Sequence, residues 1–254
     1  MSAAVRHALV TGGGQGIGAA VVQALRAQGM RVTLLGRRLT VLQAVVDTDP
    51  EHLHAVTADV ANPAEVAHAV ASARERFGPV QVLVNNAGQA LSAPFHKMDM
   101  ALWQQMLAVN LTGTMVCTQA VLPDLLAAGW GRIVNLASTA GQVGYAYVSA
   151  YCAAKHGVVG LTRSLALELA TKGITVNAVC PGYTETDIVR ESIDRVVAKT
   201  GRTPEQAMAE FVKSNPQGRL VQPRQVADAV AWLCGDGAAA VTGQSISVSG
   251  GEVM

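Results

Sequence analysis

Apolar runs of two lengths alternate along the chain. The short ones read as buried strands: His7–Thr11, Arg31–Gly36, His54–Val60, Val80–Val84, Arg132–Ala137, Ile174–Cys180 and Gly243–Val248. Between them lie longer runs with helical character: Ala19–Gln28, a run to Phe77, Leu102–Ala128, Ala150–Leu169, Asp187–Lys199, a run opening at Thr203, and Pro223–Cys234. Punctuation supports these limits. Asn62-Pro63-Ala-Glu65 offers a cap, a first-turn proline and an acid at the third helical position, and Gly78-Pro79 ends that helix. Thr203-Pro-Glu-Gln206 repeats the start signal, and Pro123 predicts a bend or break late in the Leu102–Ala128 run. No linker, repeat or low-complexity stretch interrupts the alternation. It predicts one α/β domain over 1–254, doubly wound in the Rossmann manner, with a seven-stranded parallel sheet and helices on both faces.

In such a sheet, ligands bind beyond the carboxyl ends of the strands, and the polar residues concentrate there. The first strand runs into Thr11-Gly-Gly-Gly-Gln-Gly16-Ile-Gly18 and then a helix. Strand, glycine turn and helix let backbone approach a pyrophosphate, which the helix N-terminus stabilises. Gly12, Gln15, Gly16, Ile17 and Gly18 are therefore candidate cofactor contacts. Arg37 and Arg38 follow the second strand, and no Asp or Glu occurs from Gly36 to Val46. Arginines there suit the 2′-phosphate of NADP(H), whereas NAD(H) sites usually carry a carboxylate, so NADP(H) is favoured over NAD(H). The competing reading is two solvated loop arginines. Asp59 and Val60 end the third strand, with Asp59 placed for an adenine amino group, and Asn86, Ala87 and Gly88 follow the fourth.

Ser138 follows the fifth strand, and Tyr151-x-x-x-Lys155 opens the next helix. Side chains four apart share a helix face, so phenol and ammonium are neighbours. A nearby cation is expected to lower the tyrosine pKa and fit the phenol for proton exchange with an alcohol or carbonyl oxygen. A Ser138 hydroxyl there can bond the same oxygen. Asn110 sits in apolar Met106-Leu-Ala-Val-Asn-Leu and reads either as a satisfied packing residue or as a contact aimed at the lysine. Pro181, Gly182, Thr184 and Thr186 follow the sixth strand at the same sheet edge.

Composition narrows the field. Of 254 residues half are apolar, enough for a sizeable core, and formal net charge is +1 with no basic run, against a nucleic-acid partner. No apolar stretch is expected to be long enough to cross a bilayer, and Met1-Ser-Ala-Ala-Val-Arg-His lacks signal-peptide anatomy, so a cytoplasmic protein is expected. The four cysteines, Cys117, Cys152, Cys180 and Cys234, have apolar neighbours and no paired spacing, as in a reducing compartment. Histidine spacing predicts no metal site.

The motif set Thr11-Gly-x-x-x-Gly16-x-Gly18, Asp59, Asn85-Asn-Ala-Gly88, Asn110, Ser138, Tyr151-x-x-x-Lys155 and Pro181-Gly182 resembles the short-chain dehydrogenase/reductase family over essentially the whole chain. The resemblance implies strand order 3-2-1-4-5-6-7 and a catalytic tetrad of Asn110, Ser138, Tyr151 and Lys155. In it, Tyr151 exchanges the proton, Ser138 bonds the reacting oxygen, Lys155 lowers the tyrosine pKa and holds the nicotinamide ribose, and Asn110 anchors a water. Thr184 and Thr186 become candidates for the carboxamide and phosphates, and a homotetramer is implied. Ser249 departs from the Asp that many members carry before Gly-Gly.

Cys180-Pro-Gly, Lys155-His-Gly-Val-Val-Gly160 and Gly237-Ala-Ala-Ala-Val-Thr242 look like reductases of β-keto thioesters, aromatic polyketide ketoreductases among them. Related 3-hydroxybutyrate dehydrogenases use a histidine where this chain has Ala140. Tyr145, Tyr147, Tyr183, Val143, Leu91 and Phe95 suggest an apolar, partly aromatic slot, and Arg190, Lys199 and Arg202 could meet a CoA or carrier-protein phosphate. The expected substrate is a 3-oxoacyl thioester or bulky hydrophobic ketone. The alternatives are NAD-dependent oxidation of a hydroxyacyl-CoA, steroid or cyclic alcohol, and a non-catalytic cofactor-binding regulator. Ile188, Ile193, Val196, Val197, Met208, Phe211 and Val212 give the 187–220 segment an apolar side that suits either core packing or a substrate lid.

Overall fold

The computed structural model describes residues 5–254. Seven strands form one parallel sheet in the order β3-β2-β1-β4-β5-β6-β7: β1 His7–Thr11, β2 Arg31–Gly36, β3 Leu53–Thr57, β4 Val82–Asn85, β5 Gly131–Leu136, β6 Ile174–Pro181 and β7 Ser245–Val248. The order reverses between β1 and β4, which opens a crevice at their carboxyl ends. Nine α-helices are described: α1 Gly16–Ala27, α2 Leu39–Val46, α3 Pro63–Phe77, α4 Met100–Leu107, α5 Gly113–Ala128, α6 Ser149–Leu169, α7 Asp187–Thr200, α8 Pro204–Val212 and α9 Pro223–Cys234.

The apolar strand runs are buried on both faces because helices cover both. Val21, Val22 and Leu25 of α1, Leu42 of α2 and Val226 and Val230 of α9 pack one face. Val66 and Val70 of α3, Val121 and Leu125 of α5 and Leu169 of α6 pack the other. A buried amide ladder braces the central strands: Asn85 Nδ2 donates to Asn135 Oδ1 (2.9 Å) and Thr118 Oγ1 (3.1 Å), and Asn135 Nδ2 donates to Thr162 Oγ1 (2.9 Å).

Several boundaries shift from the sequence reading. β3 ends at Thr57, so Asp59 and Val60 lie in the following turn. The Asn62 cap accepts from Ala64 N (3.1 Å) and Glu65 N (3.4 Å), but Glu65 reaches past the cap to Asp59 N (2.8 Å) and ties that turn to α3. At Thr203 both capping-box bonds form, Gln206 N to Thr203 Oγ1 at 3.3 Å and Thr203 N to Gln206 Oε1 at 3.1 Å. Helix α2 had not been anticipated. Its buried Leu42 and Val46 carry the helical spacing that marks it.

Pro123 sits inside α5 without ending it. The irregularity falls instead at Ala108–Thr112, a wide turn joining α4 to α5 in which Gly113 N–H bonds Ala108 O, one residue beyond the usual partner. Met100–Ala128 thus runs as 29 residues, long and apolar enough to cross a membrane, which corrects the expectation that no stretch is. Here α5 packs against α3, β4 and β5, and α4 packs against α6, as core helices do. The four cysteines are buried and unpaired.

Candidate active site

A cavity of about 1010 Å³ lies along the carboxyl ends of the strands. Every catalytic and cofactor candidate drawn from the sequence lines it: Gly12, Gln15, Gly16, Ile17, Gly18, Arg37, Arg38, Asp59, Val60, Asn86, Ala87, Gly88, Asn110, Ser138, Tyr151, Lys155, Pro181, Gly182, Thr184 and Thr186.

The glycine turn is a cradle with no room for side chains. Gly12 and Gly16 have φ of 66° and 54°, and a Cβ on Gly18 would fall 2.1 Å from Gly12 O. Asn86 clamps the turn, its Nδ2 donating to Thr11 O (2.9 Å) and Gly12 O (3.2 Å), while Thr11 Oγ1 accepts from Asn86 N and Ala87 N at 2.9 Å each. Gln15 caps α1 without a side-chain cap bond and the first turn holds no acid, which leaves the helix N-terminus available to an anion. Exposed Arg37 and Arg38 flank this end, and Arg38 Nη2 donates to Gln15 Oε1. Val41 and Leu42 of α2 back the turn at Gly14. The apolar Leu39-Thr-Val-Leu run was the signal for both residues. Backbone approach, an uncapped helix start and two exposed arginines together fit a dinucleotide phosphate group.

Across the cavity stand Ser138, Tyr151 and Lys155. Ser138 lies two residues past β5, and its hydroxyl accepts from Ala140 N at 3.1 Å. Lys155 is buried, its Nζ donating to Leu136 O (2.7 Å) and lying 5.7 Å from the Tyr151 ring centroid. Burial lowers the lysine pKa to about 8. Burial raises the Tyr151 phenol to about 12, and the Ser138 hydroxyl draws it partway back. The sequence argument had the opposite sign for this phenol. Loss of water around the phenolate dominates, and Lys155 is itself buried with its Nζ donating to a carbonyl.

Asn110 is buried and makes its short hydrogen bonds to backbone groups. Its Nδ2 donates to Gln89 O (3.0 Å) and Met106 O (3.0 Å), and its Oδ1 accepts from Gln89 N (3.2 Å). Gly88 separates it from the lysine: a Cβ there would lie 2.9 Å from Asn110 Oδ1 and 3.7 Å from Lys155 Nζ. Asn110 therefore fixes the Gly88–Gln89 wall rather than bonding the lysine. Its position in the wide helical turn was invisible in the sequence.

The outer side of the cavity is apolar. Leu91, Tyr145, Tyr147 and Tyr183 line it as expected, joined by Ile188, Val196 and Phe211 of the α7–α8 segment. Val143 and Phe95 do not line it and are 41% and 76% exposed, because their loops turn those side chains outward. Arg190 is also outside, drawn to Glu185 (3.6 Å) and Asp187 (3.5 Å). Lys199 and Arg202 do line the cavity, together with Arg195. Tyr147 has φ 68°, rare for a non-glycine residue, and its carbonyl accepts from Ala93 N at 2.8 Å, joining two rims of the opening. The α7–α8 helices also share a small core of their own, with Val189, Ile193, Ala207 and Leu220 buried.

Fold and cavity define an oxidoreductase that works with a nicotinamide cofactor on a ketone or an alcohol. Residues 6–196 match the short chain dehydrogenase family, and the chain belongs to it. A solved structure of a variant of actinorhodin polyketide ketoreductase with NADPH superposes with a TM-score of 0.94 and 41% identity, covering 98% of this chain and 97% of that one. An acetoacetyl-CoA reductase of Rhizobium meliloti is 39% identical over 97% of this chain and 98% of its own length. The D-beta-hydroxybutyrate dehydrogenase of the same organism is 36% identical over 97% of this chain and 98% of its own.

Proposed function

We propose that this enzyme reduces the ketone of a 3-oxoacyl thioester, or of a bulky hydrophobic ketone, with NADPH. One observation carries the substrate reading. The cavity wall opposite the glycine turn is built from Leu91, Tyr145, Tyr147, Tyr183, Ile188 and Phe211, and the segment from Ser138 to Tyr151 holds no charged residue to meet a free carboxylate. Lys199, Arg195 and Arg202 stand at the outer rim, where the phosphate of a CoA or carrier-protein arm would arrive. The α7–α8 segment acts as a lid over the substrate, its apolar face meeting both its own core and the slot.

The dinucleotide would be held by the Gly12–Gly18 turn, Asp59 and Val60, Asn86 to Gly88, and Pro181 to Thr186, with Arg37 and Arg38 on its 2′-phosphate. When bound it supplies the hydride. Tyr151 donates its proton to the ketone oxygen; burial keeps that proton on the phenol until transfer, and the charge of Lys155 offsets the cost of the phenolate that forms. Ser138 bonds and orients that oxygen. Lys155 holds the nicotinamide ribose and keeps positive charge beside the phenolate left after transfer. Asn110 holds the Gly88–Gln89 wall and supports the relay that reprotonates the lysine. The expected assembly is a homotetramer and the expected compartment the cytoplasm, where four unpaired buried cysteines are stable as thiols.

The test is NADPH oxidation against a panel: S-acetoacetyl thioesters, cyclic and bicyclic ketones, acetoacetate and sugars. Turnover confined to the thioesters and bulky ketones is the expected result. Turnover of only small hydroxy acids or sugars, or a far higher kcat/KM with NADH, overturns the assignment.

A further inference from the structure

Glu252 lies in the segment after β7 and folds back beneath the substrate side of the cavity without lining it. Its Oε1 accepts hydrogen bonds from the Tyr145 phenol at 2.8 Å and from the Ser214 hydroxyl at 2.7 Å. Its Oε2 lies against Gly182, where a Cβ would approach it to 2.7 Å. These contacts join two parts of the wall to a third segment just behind it. Tyr145 belongs to the loop between β5 and α6, Ser214 follows α8, and Gly182 follows β6.

Two further observations tie the same parts together. Gly250, with φ 65°, presses on Asn215, whose Oδ1 would lie 2.2 Å from a Cβ there. Buried Asn215 in turn holds its own turn closed, accepting from Gln217 N (2.8 Å) and donating to Arg219 O (2.7 Å). On the cavity side, Tyr145 meets Tyr183 edge-on at 6.3 Å, and Tyr183 meets Phe211 of α8 edge-on at 5.0 Å. An aromatic chain therefore runs from the loop to the lid helix, and one carboxylate oxygen closes it through Tyr145 and Ser214. Burial and the Glu252 charge both hold the Tyr145 phenol far above its ordinary range, so it remains a donor to that carboxylate.

We propose that Glu252 is a positioning residue that fixes the Tyr145 wall of the substrate slot and pins the trailing end of the α7–α8 lid to it. The width of the slot is then set by a group outside it. The part concerning substrate rests on the ketone reading above. The part concerning the lid does not.

Two readouts test it. In steady-state assays with NADPH, Glu252→Ala should raise KM for a bulky ketone by about fivefold or more, the loss of two hydrogen bonds, with kcat and the NADPH Kd from fluorescence titration changed less than about twofold. Glu252→Gln should return KM to near the parent value, since its amide oxygen can accept both hydroxyl protons. Without any substrate, trypsin should cut Glu252→Ala within 187–220 about fivefold faster than the parent, because loss of the two bonds raises the open population by that order, and Glu252→Gln should be cut at the parent rate. Tyr145→Phe combined with Ser214→Ala removes the same two bonds while leaving residues 249–254 intact, and it should reproduce the faster cleavage. Unchanged cleavage in Glu252→Ala or in that double variant, equal impairment of Gln and Ala variants, or a fall in kcat with KM unmoved each overturns the proposal. A parent enzyme that reduces no ketone would sink the substrate assignment alone, and the cleavage rates would still decide the role of Glu252.

Discussion

The two ends of the same sheet bury polar groups to opposite purposes. At the amino end, His7 opens β1 fully buried, with Nδ1 on Gly78 O (2.8 Å) and Nε2 on Thr33 Oγ1 (2.9 Å). Both ring nitrogens are used inward, and burial holds the imidazole down near pKa 4. At the carboxyl end, Ser138, Tyr151, Lys155 and the arginine pair all line a cavity, and Lys155 spends one donor on the Leu136 carbonyl. Burial shifts pKa values at both ends, so a perturbed value alone does not mark a reactive site. What separates the ends is whether the shifted group keeps an open side toward a space that a substrate can fill.

Tyr151→Phe is the most severe test of that contrast. Removing a proton donor at the open end should lower kcat by roughly a thousandfold, within the range for general acids, while dinucleotide affinity measured by fluorescence stays within a few-fold. Turnover that survives the change would place the proton donor elsewhere.

His7 is the counterpart at the closed end, and there the effect should be on stability alone. Its folded pKa lies below the unfolded value of 6.5, so the unfolded chain binds the extra proton. The contribution is fully present above pH 6.5 and is lost as pH falls toward 4, reaching on the order of 3 kcal/mol. Urea unfolding at pH 7.5 and pH 5 should show a drop in the parent that His7→Gln diminishes, with kcat at pH 7.5 unchanged. An identical pH slope in both proteins would break the contrast from this side.

The arginine pair should come next in size. Arg37→Ala with Arg38→Ala removes charge-assisted bonds worth about 1.5–3 kcal/mol. We expect kcat/KM for NADPH to fall by about thirtyfold, with that for NADH changed less than about threefold. An equal loss for both cofactors would assign the arginines to general electrostatics rather than to the 2′-phosphate.

How far this was legible from residues alone follows from the physics of each part. The gathering of the candidate residues at one edge was readable because glycine turn, Ser138 and Pro-Gly each lie at or just past a strand end, while the strand order came only through the family resemblance that these motifs carry. The sign of the Tyr151 shift was not, since it depends on how much water the fold removes from the phenol, and spacing along a helix carries no record of that. The direct partners of Asn110 were hidden for a related reason. Its amide goes to Gln89 and Met106 through a wide turn that no local pattern announces. Glu252 carries no local signal because its partners, Tyr145 and Ser214, are 107 and 38 residues away in sequence.

The smallest effect belongs to the surface of the closed end. Arg6 Nη2 and Asp236 Oδ1 are 2.9 Å apart, with the aspartate side chain 71% exposed, and the Arg6 guanidinium stacks 3.9 Å from the Trp130 ring centroid. Arg132, buried on the same ring at 4.3 Å, is the group that needs solvation here, and its Nη1 donates to Gly131 O (2.8 Å) and Gly173 O (3.4 Å) rather than to a carboxylate. Asp236 therefore acts on Arg132 only at a distance, through a charge already offset by Arg6. Asp236→Asn should shift the urea midpoint by less than about 1 kcal/mol, as exposed pairs do, and half-molar salt should erase the shift because screening there acts within about one contact distance. A larger loss that persists in salt would mean that the closed end relies on this carboxylate to keep Arg132 buried, and its polar groups would then be less self-sufficient than those around His7.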